Sequence, residues 1–174
     1  MFIDINEIRD EGLAIDEPLR IPDLRGLADE MIVVEEARVK GRAVRGGRGA
    51  ELDARLTARV AMPCSRCLEP FANDLSVTFF LTLVEGDAAL GAETDAAEGE
   101  DDATLFPAPR GRADLVEICS EQIYLNLPLK PICKEGCRGL CPTCGANRNR
   151  SECGCAAEEI DPRLAPLLRF KKRR

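Results

Sequence analysis

Not one of the 174 residues is histidine, and that absence removes whole classes of chemistry. Ser-His-Asp and Cys-His catalysis are excluded, as are zinc fingers of the paired-Cys, paired-His kind and any other imidazole metal site. Tryptophan is also absent and aromatic residues make up only 4% of the chain, so a core must rely on Val, Leu, Ile and Ala. No segment approaches the roughly 18 apolar residues a membrane helix needs. The opening Met1-Phe2-Ile3-Asp4-Ile5-Asn6-Glu7 lacks the basic and apolar regions of a secretory signal. These absences point to a soluble, cytoplasmic protein with no membrane partner, and an apolar content of 45% is enough for a folded core.

What the chain does have is cysteine, nine residues of it. The number is odd, and a reducing cytoplasm keeps thiols unpaired, so a metal site is favoured over a disulfide framework. The C-terminal segment reads Cys133-x3-Cys137-x3-Cys141-x2-Cys144-x8-Cys153-x-Cys155. Cys141-Pro-Thr-Cys144-Gly145 is a metal knuckle: a tight turn aims both sulfurs at one ion, and the following glycine permits positive φ. Without histidine the ligands are thiolates, with carboxylates as the alternative, and a four-thiolate set favours zinc in a structural role. Cys64-Ser-Arg-Cys67 supplies one further pair. Two arrangements are open. Cys141, Cys144 and Cys153 with one more residue can form a single site. Alternatively, eight cysteines make two four-thiolate sites, one of them tying Cys64 and Cys67 to the tail. Cys119 lies on an apolar helix face and reads as a small core residue. A redox role for Cys64 and Cys67 lacks the βαβ setting or basic helix N-terminus that lowers a thiol pKa.

The formal net charge of −7 argues against nucleic acid as a partner, but its distribution reverses that. From Glu85 to Thr104 there are eight acids and no base. From Lys130 to Cys155 five bases (Lys130, Lys134, Arg138, Arg148 and Arg150) face two acids, Glu135 and Glu152. The chain then ends on Lys171-Lys172-Arg173-Arg174. These nine cations are the candidate RNA contacts.

Period-two alternation dominates the first half. Phe2, Ile3, Ile5 and Ile8 suggest a short edge strand, followed by a Pro-containing loop. Met31 to Val44 is strand-like, with Val33, Ala37 and Val39 on one face, and Gly46, Gly47 and Gly49 mark a turn. Leu52, Ala54, Leu56, Ala58, Val60 and Met62 alternate with mostly polar residues, the pattern of a half-buried strand. After the Cys64–Cys67 turn, Leu75, Val77, Phe79, Leu81 and Leu83 alternate again, so the three runs make an antiparallel meander. Asp114 caps a helix with Glu117 three residues on; Leu115, Ile118, Cys119 and Ile123 share its apolar face, and Pro128 stops it. The expected class is α+β: an antiparallel sheet of three to five strands, one packing helix and a C-terminal, Cys-rich, zinc-ribbon-like module. The expected divisions are a sheet region over 1–84, an acidic flexible loop over 85–112, the helix over 113–130, the zinc module over 131–158 and a basic tail over 159–174.

Cys64-Ser-Arg-Cys67-Leu68-Glu69-Pro70-Phe71, Asp114-Leu115-Val116-Glu117, Leu127-Pro128-Leu129-Lys130-Pro131-Ile132-Cys133 and Gly139-Leu140-Cys141-Pro142-Thr143-Cys144-Gly145-Ala146-Asn147, taken in that order, resemble the YceD-like family. Its members are named large ribosomal RNA subunit accumulation proteins. The likeness runs from the strand region near residue 30 to Cys155 and excludes the acidic loop and basic tail. It implies a role in making or maturing the RNA of the large ribosomal subunit, without an established catalytic activity. Some members lack the C-terminal cysteines, which implies a structural metal site. The expectation is therefore a non-enzymatic factor for 23S rRNA synthesis, maturation or accumulation that binds precursor rRNA or an assembling large subunit. The alternative is a zinc-stabilised adaptor for ribosomal or assembly proteins that touches no RNA.

Overall fold

The computed structural model describes residues 1–25, 31–47, 49–86 and 105–155. Its centre is three long antiparallel strands: β4 (Met31–Gly46), β5 (Gly49–Pro63) and β6 (Pro70–Glu85). Gly46 pairs with Gly49 to close the first hairpin, and Pro63 pairs with Pro70 where the second hairpin begins to open. The alternation in β5 survives intact. Leu52, Ala54, Leu56, Ala58, Val60 and Met62 are all buried, while Asp53, Arg55, Thr57 and Arg59 face solvent. Each fully buried Leu on this face contributes roughly 1.5–3 kcal/mol.

Strand β4 departs from a simple alternation. Its register against β5 shifts between Val34 and Glu36, a bulge that moves side chains beyond it to the opposite face. Ile32, Ala37 and Val39 are buried while Val33 is 38% exposed, so Val33 does not share a face with Ala37 and Val39 as expected.

The sheet is larger than three to five strands. Among the described residues six strands join it: β2 (Leu13–Leu19), β4, β5, β6 and β7 (Leu105–Ala108) in that order, with β3 (Leu24–Arg25) also pairing β4. The Pro-containing stretch expected to be a loop is the edge strand β2 (Leu13–Leu19), with Pro18 opposite Arg38. An edge tolerates proline because the missing N–H has no ladder partner to satisfy on its open side. Strand β7 (Leu105–Ala108) lies parallel to β6, so the sheet is mixed. Phe2–Asp4 forms β1, which pairs with β8 (Arg112–Asp114) in a separate two-stranded sheet. The expected loop therefore ends too late at 112, since β7 and β8 occupy part of that range. Its acidic portion, 87–104, and the tail 156–174 with Lys171, Lys172, Arg173 and Arg174 lie outside the described residues.

Helix α1 (Leu115–Leu125) is the single α-helix among the described residues. The Asp114 carboxylate caps it, accepting from the Val116 N–H at 3.0 Å. Leu115, Ile118, Cys119 and Ile123 are buried in the same core as the inner face of the sheet. Burial pushes the Cys119 thiol up to about 12, so it stays protonated and behaves as a core residue. From α1 the chain returns to the β5–β6 hairpin, where both the Ser65 N–H and its hydroxyl donate to the Pro131 carbonyl at 2.8 and 2.9 Å.

Candidate metal centre

The two Cys-x-x-Cys segments fold alike. In the hairpin the Leu68 N–H donates to the Cys64 carbonyl at 2.9 Å, and in the tail the Gly145 N–H donates to the Cys141 carbonyl at 2.9 Å. Both turns place the residue after the second cysteine at positive φ: 59° for Leu68 and 73° for Gly145. Glycine accepts this conformation freely, whereas an L side chain there costs roughly 1–2 kcal/mol. Leu68 is 64% exposed, so little packing offsets that strain. Leu68→Gly should raise stability by about 0.5–1 kcal/mol, the relief of strain less the added flexibility of the unfolded chain. A shift of the denaturant midpoint to higher concentration would show it; a lower midpoint would mean that the Leu68 side chain makes a needed contact.

The fold brings eight cysteines together as two sets of four: Cys64, Cys67, Cys133 and Cys137, then Cys141, Cys144, Cys153 and Cys155. Within each set the sulfurs all lie within 4.8 Å of one another. In the first, or proximal, set Cys64 and Cys137 Sγ are 3.9 Å apart and Cys67 and Cys133 Sγ are 3.8 Å apart. A tetrahedron with metal–sulfur bonds of about 2.3 Å has edges of about 3.8 Å. All nine cysteines are free thiols, and the ninth, Cys119, belongs to neither set. Of the two arrangements that spacing leaves open, this is the second, with the proximal set tying the sheet hairpin to the tail. Each set can hold one metal ion with no ligand left over.

Local electrostatics favour the thiolate at Cys64 and Cys137 in the proximal set and at Cys141 in the distal set. Burial opposes ionisation of Cys64, but the backbone N–H groups of Cys133, Arg66 and Cys67 outweigh it and bring the thiol down to about 6. Two of these contacts measure 3.4 Å from Cys133 N and 3.5 Å from Arg66 N. The backbone N–H groups of Cys144 and Thr143, followed by the Cys153 thiol, bring Cys141 down to about 6. Burial and the neighbouring thiols push Cys133 up to about 12.

Polar side chains stitch the joint. The Arg66 guanidinium donates to the carbonyls of Cys137 at 3.0 Å and Glu135 at 3.3 Å. The Leu140 N–H returns a bond to the Arg66 carbonyl at 3.1 Å, and the close passage of Gly139 beside that carbonyl leaves no room for a side chain. Asn149 donates from its amide to Cys137 Sγ at 3.4 Å. Asn147 and Arg150 reach Glu69 at 3.3 and 2.8 Å. Sequence spacing identifies none of these supporting residues; the available signal is the Asn147-x-Asn149-Arg150 run inside the eight-residue gap between Cys144 and Cys153. Two candidate RNA contacts are engaged internally, since Arg150 pairs with Glu69 at 2.8 Å and Arg138 with Glu152 at 3.6 Å. Lys130, Lys134 and Arg148 carry no ion pair among the described residues.

A mostly antiparallel sheet whose hairpin and tail share a four-cysteine set, with a second four-cysteine set beside it, is the class of protein this fold defines. The chain belongs to the family described as Large ribosomal RNA subunit accumulation protein YceD, whose model matches residues 52–171. It is 27% identical over 144 residues to the chloroplastic Large ribosomal RNA subunit accumulation protein YCED homolog 1 of Arabidopsis thaliana, covering 71% of this chain and 45% of that protein. An uncharacterized protein of Mycobacterium tuberculosis is 34% identical over 117 residues, covering 65% of this chain and 53% of that one. The uncharacterized protein YlbN of Bacillus subtilis is 24% identical over 97% of this chain and 93% of its own length. The chain spans about half the length of the plant relatives it matches, 45% and 52%. No solved structure matches it significantly. No helix among the described residues is long and apolar enough to cross a membrane.

Proposed function

We propose that this chain is a non-enzymatic, zinc-stabilised factor in the synthesis, maturation or accumulation of large-subunit (23S) ribosomal RNA, acting on precursor rRNA or an assembling large subunit. Family membership is the observation that carries the reading. Four thiolates per site suit zinc, and such a closed set leaves no coordination position for a substrate, which supports a structural ion. The paired Cys-x-x-Cys turns support a zinc-ribbon-like description of the tail. Free thiols throughout fit a reducing cytoplasm, the compartment we propose.

Charge favours one version of RNA contact over another. A divalent ion on four thiolates leaves about −2 at each centre. Around the two centres stand six cations, Arg66, Lys130, Lys134, Arg138, Arg148 and Arg150, against Glu69, Glu135 and Glu152. The loaded module is therefore close to neutral, and its arginines serve first to balance the metal thiolates. Most phosphate attraction must then come from Lys171, Lys172, Arg173 and Arg174, with Lys130, Lys134 and Arg148 as a smaller patch. Replacing the four tail cations by Gln should lower the slope of log affinity against log salt by roughly 3, at about 0.7 per single-strand phosphate contact. Replacing Lys130, Lys134 and Arg148 should lower it by roughly 2 at most. Slopes unchanged in both variants would sink direct RNA contact.

The same near-neutrality favours the second reading, an adaptor that holds ribosomal or assembly proteins without touching RNA. Ultraviolet crosslinking of the tagged protein in growing cells separates the two. Precursor large-subunit RNA crosslinked at defined positions supports the first; co-purified ribosomal proteins with no RNA above background support the second.

A further inference from the structure

The two four-cysteine sets differ in how they are held. The proximal set is buried at Cys64, Cys67 and Cys137 and is backed by Phe71, Ile132 and Leu140. The distal set is more open, with Cys144 exposed and Cys153 half-buried. The loop 145–152 runs between two distal ligands, so a distal ion anchors both its ends. That same loop carries Asn149. Its amide nitrogen donates to the proximal ligand Cys137 at 3.4 Å, while its carbonyl oxygen accepts from the Arg138 N–H at 2.9 Å. Asn147 in turn orients Asn149, its carbonyl oxygen accepting from the Asn149 N–H and side-chain amide, both at 3.0 Å.

We propose that the distal set is a latch on the proximal one: it exchanges its metal first, and its opening loosens the proximal ion through Asn149. This rests on the zinc reading above. The hydrogen bond from Asn149 stabilises the Cys137 thiolate and fixes its direction, the task of an outer-shell partner. When the distal ion leaves, loop 145–152 loses both anchors, and Asn149 is then held near Cys137 by hydrogen bonds: with Asn147 and the Arg138 N–H, through the Cys141–Ala146 and Arg148–Gly139 backbone bonds, and through the two contacts to Glu69. The coupling is reciprocal, so a filled proximal site also favours distal loading. The protein thereby has an intermediate state, with the hairpin still tied to Cys133 and Cys137 and the segment from Cys141 to Cys155 loosened but still hydrogen-bonded at Asn149. A chain with such a state responds to falling metal supply in two steps.

The test uses the full chain loaded with Zn²⁺, challenged with a chelator and followed by native mass spectrometry with peptide-mapped iodoacetamide labelling. A one-ion species should accumulate, labelled on Cys141, Cys144, Cys153 and Cys155 and protected on Cys64, Cys67, Cys133 and Cys137. Asn149→Ala should speed loss of the second ion by about 10-fold, the lower end of outer-shell effects, with less effect on the first. Cys155→Ser, which keeps every proximal ligand and Asn149, should speed loss of the first ion, so that proximal labelling begins sooner while the rate of the second phase, which starts from an empty distal set, is unchanged. Simultaneous labelling of both sets, proximal labelling first, an unchanged second phase in Asn149→Ala, or proximal labelling no sooner in Cys155→Ser would overturn the latch. A chain that takes up no Zn²⁺ at all would instead overturn the zinc reading beneath it.

Discussion

Stripping the metal at neutral pH should unfold residues 131–155 while the sheet and α1 stay folded. That segment contains no strand or helix, and its one isolated bridge joins Leu140 to Asn147. Its apolar support is a satellite cluster of Cys64, Cys67 and Cys137 with a few half-buried neighbours. A structural zinc contributes on the order of 10–16 kcal/mol of apparent binding energy at neutral pH, whereas a whole domain is stable by about 5–15 kcal/mol. Loss of the ions therefore removes nearly everything that orders the module. It also leaves the buried Cys64 thiolate beside other thiols with no cation to offset it, a costly arrangement. The main core is a separate cluster spanning the sheet and α1 that needs none of the eight ligands. Hydrogen exchange before and after chelation checks this. Amides of 131–155 and of the hairpin tip 64–69 should lose protection, while β5 and α1 keep it. Retained protection throughout would mean that metal does not order the module; loss everywhere would mean that the two parts fold as one unit.

The sequence is most legible where a single physical period governs it. Strand β5 is one uninterrupted alternation, and α1 carries its own cap at Asp114 and its own apolar face, so both are readable from residue order alone. Strand β4 is misread at Val33 because a bulge changes the phase of the alternation, and a bulge has no composition of its own at that position. Strand β2 is hidden by Pro18, which signals a loop unless it is known to lie at an edge. Strand β7 depends on a parallel pairing with β6 across a long separation, which local pattern does not encode. For the metal centre, residue type and number are legible and partnership is not. Spacing makes Cys141 and Cys144 one pair and Cys64 and Cys67 another. That Cys133 and Cys137 turn back to the β5–β6 hairpin depends on where α1 delivers the chain and on the Ser65–Pro131 contacts. Asn149 and Glu69 are ordinary polar residues until the fold sets them beside a sulfur and an arginine.

Acid should empty the sites steeply, with a midpoint near pH 4–5. The sign follows from proton competition: a metal-bound thiolate takes up no proton, whereas an unfolded thiol does so below about pH 8.5. Metal-linked stability is thus fully present above about pH 8.5 and is lost as pH falls. If chelation unfolds the module, all four ligands of each ion exchange protons, and the loss is about 5 kcal/mol per pH unit per site. A binding energy of about 10–16 kcal/mol at pH 7 is then exhausted in roughly two to three units. A site that stayed preformed without metal would behave differently. Cys64 and Cys141, held down to about 6 chiefly by backbone N–H groups against burial at Cys64, would already be ionised at neutral pH. They would release no proton on loading there, and the slope of log affinity against pH would be three per ion or less above pH 6, steepening below it. Zn²⁺ release followed with a chromophoric indicator from pH 8 to pH 4, with proton uptake measured in parallel, distinguishes the cases. A slope approaching four per ion supports a module that folds only with its metal. A slope of three or less that breaks near pH 6 would show that the hairpin and tail assemble the site in advance. A shallow, one-proton transition would contradict four-thiolate coordination altogether.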